Sequence, residues 1–298
     1  MACAAGLRAR RATWLPLRYA EDRRSLGFLA LLFVLLAVQW TGALRHPALL
    51  ALTCVLGFVA CVIKHNHLHC RTFTDARWNR ALEHLLGLAT GHPASGIVTA
   101  HNVRHHGQSQ SARDWVRASV VDFRCNALNL AAFAVVAVAR MRRERESDLA
   151  RWRRERPVLH RRAVAERVSL YGTIGVLLVL DWRATLACVL PPWLFGQWAI
   201  VTINLLQHQD CDPASEVDHS RDVTGRLVNW VVLNNGYHAA HHLRPALHWS
   251  RLPDFHRRHV VPRRRRPLEH RSLLGALWAR FVVGPAAWRP SAGRSAWS

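Results

Sequence analysis

The chain has 298 residues, half of them hydrophobic, with 41 basic against 19 acidic side chains and a formal charge of +22. That apolar content excludes a chain that stays disordered. The charge alone would suggest a nucleic-acid binder, but such a protein needs no uncharged apolar runs of 17 to 19 residues, and no nucleic-acid-binding motif is present. Seven cysteines without a CxxC pair argue against a zinc ribbon or a disulfide framework.

Leu26 to Leu44 carries no charge and is long enough to cross a hydrocarbon core of about 30 Å. Arg8, Arg10, Arg11, Arg18, Arg23 and Arg24 precede it, and no small-residue cleavage site follows, so it reads as an anchor and not as a removable signal. Only Arg45 and His46 separate it from the next apolar run, Pro47 to Ile63. The two form a helical hairpin whose basic flanks place both ends in the cytoplasm. Ala127 to Ala139 is short and lies between basic flanks, and reads as an interfacial or buried helix. Val168 to Leu206, interrupted by Asp181, Trp182 and Arg183, reads as a second hairpin with a short first arm. Arg263 to Arg266 reads as a patch for lipid headgroups, and Ser272 to Val283 as a surface-lying helix.

The expectation is an all-α integral membrane protein with two transmembrane helical hairpins. Its four spans lie at about 26–44, 47–63, 168–182 and 184–206. Residues 64–167 and 207–285 form a cytoplasmic helical cap, 1–285 make a single domain, and 286–298 a disordered tail. The setting this implies is a membrane with the N-terminus on the cytoplasmic side, in a bacterium the inner membrane.

The cap holds the histidines that set this chain apart, since 19 is several times an ordinary number. HNHLH follows the second run, and residues four apart on a helix share a face, so His65 and His69 pair while His67 points away. HNVRHH gives His101, His105 and His106. His208 follows the second hairpin, one helical turn after Asn204, and NNGYHAAHH gives His238, His241 and His242 within about 100° of helix surface. Any one of these would ordinarily be a hydrogen-bonded core residue. Nine grouped past span ends on one side point to metal.

Imidazole suits zinc, copper, iron and nickel. Nine imidazoles overfill one zinc, but supply two metals with four or five nitrogens each. HExxH is absent, and the only Glu-x-x-His, Glu216 with His219, lies near Pro213 in a stretch that does not read as helix. A metal transporter or sensor would place charge inside the spans, which are nearly free of it.

The series HxxxH, HxxxHH, a lone His after NxxQ and HxxHH around two hairpins resembles the membrane fatty acid desaturase and hydroxylase superfamily of histidine-box di-iron enzymes. The likeness runs from roughly Leu26 to His259, and is tightest at HNHLHCRTF and at NNGYHAAHHLRPALHWSRLPDFH, a stretch similar to bacterial desaturase-like sequences. It implies an O2-dependent oxidoreductase of lipid metabolism that desaturates an acyl chain using two irons and two electrons. The alternative is a hydroxylase or ketolase acting on a lipid, alkane or carotenoid. By this resemblance the metal ligands are His65, His69, His101, His105, His106, His208, His238, His241 and His242. Asp114 falls where the family often has an Asp after its second box. The third box begins with His238 and not Gln, and no HPGG haem motif appears, so the electron donor is a separate ferredoxin or cytochrome b-type protein.

Asn204, Asp114, Asn235 and Asp210 are the foremost candidates for orienting the imidazoles, with Asn66, Asp218, Asp222 and Asn234 behind them. Trp193, Phe195 and Trp198 suit either a narrow apolar tunnel or packing between spans. The Arg-rich segment from Arg140 to Arg167 suits the anionic carrier of an acyl-lipid, acyl-CoA or acyl-carrier-protein substrate, an acidic donor, or the membrane itself.

Replacing His65 with Ala is expected to abolish iron loading and activity, while His67→Ala keeps much of both. Iron per chain in the purified variants checks this, and equal loss in the two would sink the assignment.

Overall fold

A computed structural model describes residues 16–144 and 148–283, so the expected tail at 286–298 and Arg8, Arg10 and Arg11 lie outside the described residues. The described chain is mostly helical. Helix α1 (Asp22–Trp40) leads into α2 (Pro47–His69), where Pro47 takes the first position and the His46 ring accepts from Ala48 N at 3.2 Å. Helix α3 (Ala76–Thr90) starts at Asp75, whose carboxylate accepts from Arg77 N at 2.6 Å. It stops at Gly91 in the left-handed region (φ 64°), and a Cβ there would run into the Trp193 ring. A π-helical segment, Val98–His105, passes into the short α4 (His106–Gln108).

Next come α5 (Asn126–Glu144), α6 (Asp148–Glu155), α7 (Pro157–Ala184), a π turn at Thr185–Val189 and α8 (Leu190–His208). The C-terminal third is built from short pieces. They are β1 (Asp222–Val223), α9 (Arg226–Val231), α10 (His238–Leu243), α11 (Leu252–Phe255), β2 (Glu269–His270) and α12 (Leu273–Leu277), with β1 parallel to β2.

Among the described residues, three helices are long and apolar enough to cross a membrane: Asp22–Trp40, Pro47–His69 and Pro157–His208. The third is α7 running through the π turn into α8, with extended backbone at Asp181 (φ −156°, ψ 92°) where the two arms meet. At that end Trp40 Nε1 donates to Thr185 Oγ1 at 2.9 Å, so the α1–α2 turn and the α7–α8 break lie together. At the opposite end Trp249 Nε1 donates to Asp22 Oδ1 at 2.9 Å, and there α2 and α8 both finish in histidine.

Helix α2 forms the axis of the core. Leu56, Val59, Ala60, Val62 and Ile63 are buried against α1, α3 and α8. Contact with α8 is backbone on backbone: a Cβ on Gly57 would come within 2.6 Å of Pro192 O, and one on Gly196 within 2.7 Å of Gly57 O. Two facing glycines let helices approach as no larger pair can. Because α2 and α8 run in the same direction, this contact brings the histidines that close both helices to the same end of the bundle.

Three details depart from the sequence reading. Helix α7 begins at Pro157 and not near Val168, because nothing between them breaks a helix, so the first arm extends well beyond its apolar part. Residues 127–139 belong to a longer helix that buries Phe133, Ala134 and Ala137 while Leu128 and Val135 stay exposed. In the run at 263–266 one side chain turns inward: Arg263 pairs with Glu216 at 2.7 Å on the surface, while the Arg264 side chain, almost fully buried, reaches Asp222 at 2.8 Å and Asp218 at 3.8 Å. Arg264 above all pins the loop after α8.

Gly196→Leu is expected to destabilise the protein by about 1–3 kcal/mol or more, as overpacking of a tight contact does, and to lower bound metal because α8 moves off α2. The thermal midpoint and the metal content of the detergent-purified variant check both.

Candidate metal centre

The first box ends α2. His65 Nδ1 donates to Asn66 Oδ1 at 3.0 Å, leaving Nε2 with its lone pair free. Asn66 Oδ1 is itself held by Asn235 Nδ2 at 2.9 Å, so Asn235 acts on His65 through Asn66. His67 faces away, as its azimuth requires, and is hydrogen-bonded to Thr72 Oγ1 and Arg71, both at 3.0 Å.

In the second box the π-helical turn decides the outcome. His106 N bonds back to His101 O, five residues earlier. In a π turn residues five apart lie over one another. His101 and His106 therefore face the same way, and His105 is turned aside. The His105 ring is fully buried, and its Nδ1 donates to Asp114 Oδ2 at 3.0 Å. Burial alone would raise the Asp114 carboxyl, but hydrogen bonds from His105 and from the N–H groups of Gln110 and Val116 outweigh it and hold it below the ordinary value.

His208 closes α8, with Nδ1 donating to the main-chain oxygen of His219 at 3.0 Å. Helix α10 carries the last box. His238 and His242 are four apart and share one face, while His241 lies on the adjacent one. Asp222 Oδ1 accepts from Ala239 N at 2.8 Å and thereby anchors α10 at its first turn. Leading into α10, Leu233 and Asn234 adopt left-handed backbone (φ 49° and 57°), unusual for a buried leucine, and Asn229 ties the turn by accepting from Gly236 N at 3.1 Å.

The nine imidazoles form two groups. His65, His69, His101, His106 and His241 make one; His105, His208, His238 and His242 make the other, and within each the ligating atoms lie within 4.8 Å of one another. Nε2 faces Nε2 at 3.0–3.1 Å between His106 and both His101 and His241, and at 2.9–3.1 Å between His238 and both His208 and His242. His69 Nε2 and His105 Nε2 are buried without any partner. Nitrogens crowded together in this way, with the Nε2 lone pair turned inward on His65, His105 and His208, suit a shared cation at the centre. With metal–nitrogen bonds of ~2.1 Å, nitrogens about 3.0 Å apart subtend close to ~90°, whereas a closed tetrahedral zinc site would space them about 3.4 Å apart. The donor set thus fits a metal with five or six positions, some left open.

Burial first, and then the neighbouring rings, hold His101, His106, His238, His241 and His242 well below the ordinary value of 6.5, so they stand neutral and ready to ligate at pH 7. A third group, Asp222, His256 and Glu269, also has its ligating atoms close together. The Arg264 guanidinium lies 2.8 Å from Asp222 and already supplies its positive charge, so this group serves as an anchor for α10.

Residues 39–272 match the family model described as Fatty acid desaturase. The chain belongs to that family. No curated protein matches it. Membership in the Fatty acid desaturase family fits an oxidoreductase associated with membranes, and the histidine groups are where such a chain could hold its metal.

Two expected partners of the imidazoles lie elsewhere. Asn204 shares the azimuth of His208, yet its Nδ2 donates to Val116 O at 2.6 Å, fastening α8 to the segment beyond Asp114. Asp210, just past α8 with φ 58°, turns outward to pair with Arg280. The aromatic residues of α8 divide similarly: Trp193 and Trp198 donate to the main-chain oxygens of Leu88 and Ala131 at 2.8 and 3.3 Å, packing helices together. Sequence reasoning missed Asn229, which ties together a turn between residues 223 and 236, and Arg264, whose partners lie more than forty residues away.

Acidification is expected to destabilise the metal-free protein. Its folded imidazoles resist protonation, while the unfolded chain takes up protons near pH 6.5, so stability is fully present above that value and falls as pH drops below it, by at most about 1.4 kcal/mol per unit for each such ring. Thermal midpoints with chelator present should be level from pH 8 to 7 and decline from 6.5 to 5.

Proposed function

We propose that this chain is a membrane-bound di-iron oxidoreductase that uses O2 and two electrons to place a double bond in an acyl chain. One observation carries the reading: nine imidazoles, without a carboxylate or thiolate among them, converge in two groups where the long apolar helices of a Fatty acid desaturase family member end. Iron held there supplies the oxidising power toward an unactivated C–H bond that no side chain has.

The chain's own residues do the rest. Asn66, Asp114 and the His219 carbonyl fix three rings with Nε2 inward. A cavity of about 10 Å³, room for one small molecule, lies beside His69 and His241 and is walled by Pro245, Leu247, Trp249 and Leu252. Asn66 and the two imidazoles give it a polar side, which suits one small molecule beside the rings. One open face of α7 runs from His160 and Arg161 to Val164, Ala165 and Val168. Charge at one end and aliphatic surface at the other suit an anionic headgroup or carrier with its acyl chain.

Four crossings follow in this reading, two from α1 and α2 and two from the arms on either side of Asp181. Val176, Val179, Leu180 and Trp182 are exposed on α7, an apolar surface that lipid would cover. The histidine end lies in the cytoplasm, by the arginines flanking the spans, and in a bacterium the membrane is the inner one. A separate ferredoxin or cytochrome b-type donor brings the electrons, docking on the arginine-rich face.

Expression in a host of defined lipids tests the reaction. The wild-type chain should carry about two irons and yield new double bonds, and His238→Ala should do neither. New oxygen in place of double bonds selects the hydroxylase or ketolase, and absence of iron removes the reading.

A further inference from the structure

The two groups are unequal, five imidazoles against four. A tenth histidine lies at the rim of the smaller one. The His219 ring centre is 5.1 Å from that of His242 and 6.3 Å from that of His208. Within the four-membered group itself, neighbouring rings stand 4.5–5.0 Å apart and the widest pair, His105 and His238, 6.4 Å. His219 therefore keeps ring spacing like theirs to two members of the group, while its nitrogens stay outside the set of ligating atoms that all lie within 4.8 Å of one another.

Its tautomer is set for ligation. Nδ1 donates to Glu216 O at 3.0 Å, which leaves the lone pair on Nε2, and that atom is buried without a hydrogen-bond partner. The loop around it is held firmly. Arg264 Nη2 donates to Val217 O at 2.9 Å and to Ser220 O at 3.0 Å, and Arg221 bonds Leu206 O at the end of α8. Glu216, the one acid at Glu-x-x-His spacing, points outward to Arg263 and is no part of the site.

We infer that His219 Nε2 is a fifth nitrogen for the metal held by His105, His208, His238 and His242, so that each metal has five imidazoles. This rests on the di-metal reading above. His219 then serves its site twice, through its ring toward the metal and through its main-chain oxygen, which orients His208. The second role needs no side chain, so a substitution separates the two.

The test uses the full chain in detergent, stripped with chelator and titrated anaerobically with Fe(II), and the readout is metal bound per chain. Wild type should bind two irons. His219→Gly should keep one at wild-type affinity and bind the other about tenfold or more weakly, and free imidazole should restore it by refilling the vacant position. With Co(II) as the metal and 15N-imidazole as the rescuing ligand, pulsed electron spin resonance should show the nitrogen coupled to cobalt. Two irons bound by the variant at wild-type affinity would overturn the inference and leave the di-metal reading standing. Loss of both irons without imidazole rescue would also overturn it, since His219 would then be structural. A wild-type chain that binds no iron would instead remove the reading on which the inference rests.

Discussion

Nine crowded imidazoles, among which four Nε2 pairs stand only 2.9–3.1 Å apart, are not a stable arrangement in themselves. A neutral ring has only one N–H to share, so clustered rings repel wherever nitrogen meets nitrogen with no N–H or cation between them, and burial makes a further proton costly. The rest of the molecule can be understood as the means of holding these rings in place against that repulsion. Facing glycines bring α2 and α8 together, three Nδ1 donors fix ring orientation, and the Asp222–Arg264 pair fastens α10. Each acts by making some other packing of the rings more expensive.

The anchors also explain the loops. The stretch after α8 carries Asp212, Glu216, Asp218 and Asp222, and the run at 263–266 supplies three arginine side chains and the Arg265 N–H that reach them. Exposed pairs such as Arg263 with Glu216 contribute little on their own. Arg264 differs, because its guanidinium is buried between two carboxylates and also donates to main-chain oxygens, so its removal would leave Asp222 uncompensated in the interior. The positive charge that stands out in the composition is thus partly internal, neutralised where the metal-bearing helix needs a fixed base.

Helical periodicity made part of this legible. Spacing of four brings His65 to His69 and His238 to His242, turns His67 away, and needs no tertiary knowledge. It fails at His101, where α-helical spacing would favour His105 and the π turn selects His106. Nothing in HNVRHH announces the extra residue per turn. Long-range partners were equally hidden: Asn204 lies one turn from His208 but finds the carbonyl of Val116, and Asp210 finds Arg280. Azimuth gives the direction in which a side chain leaves its helix, and only the assembled neighbours decide which group it meets.

The partition of the boxes has a consequence for how the two sites depend on each other. His105 and His106 are consecutive, yet they belong to different groups, and so are His241 and His242. A single peptide unit therefore joins the two sites in each of two places, and the His106 and His242 rings, one from each group, stand 4.5 Å apart. Neither group can form with its neighbour dispersed, because setting one ring of a consecutive pair fixes the backbone of the other. The separation of two metals bound here would be dictated by helix geometry, in one case the wider turn of a π segment and in the other an α turn. A chain that placed each box wholly within one group would leave its metals free to drift relative to one another. By dividing two of its boxes between the groups, this one ties both to the same short stretches of backbone.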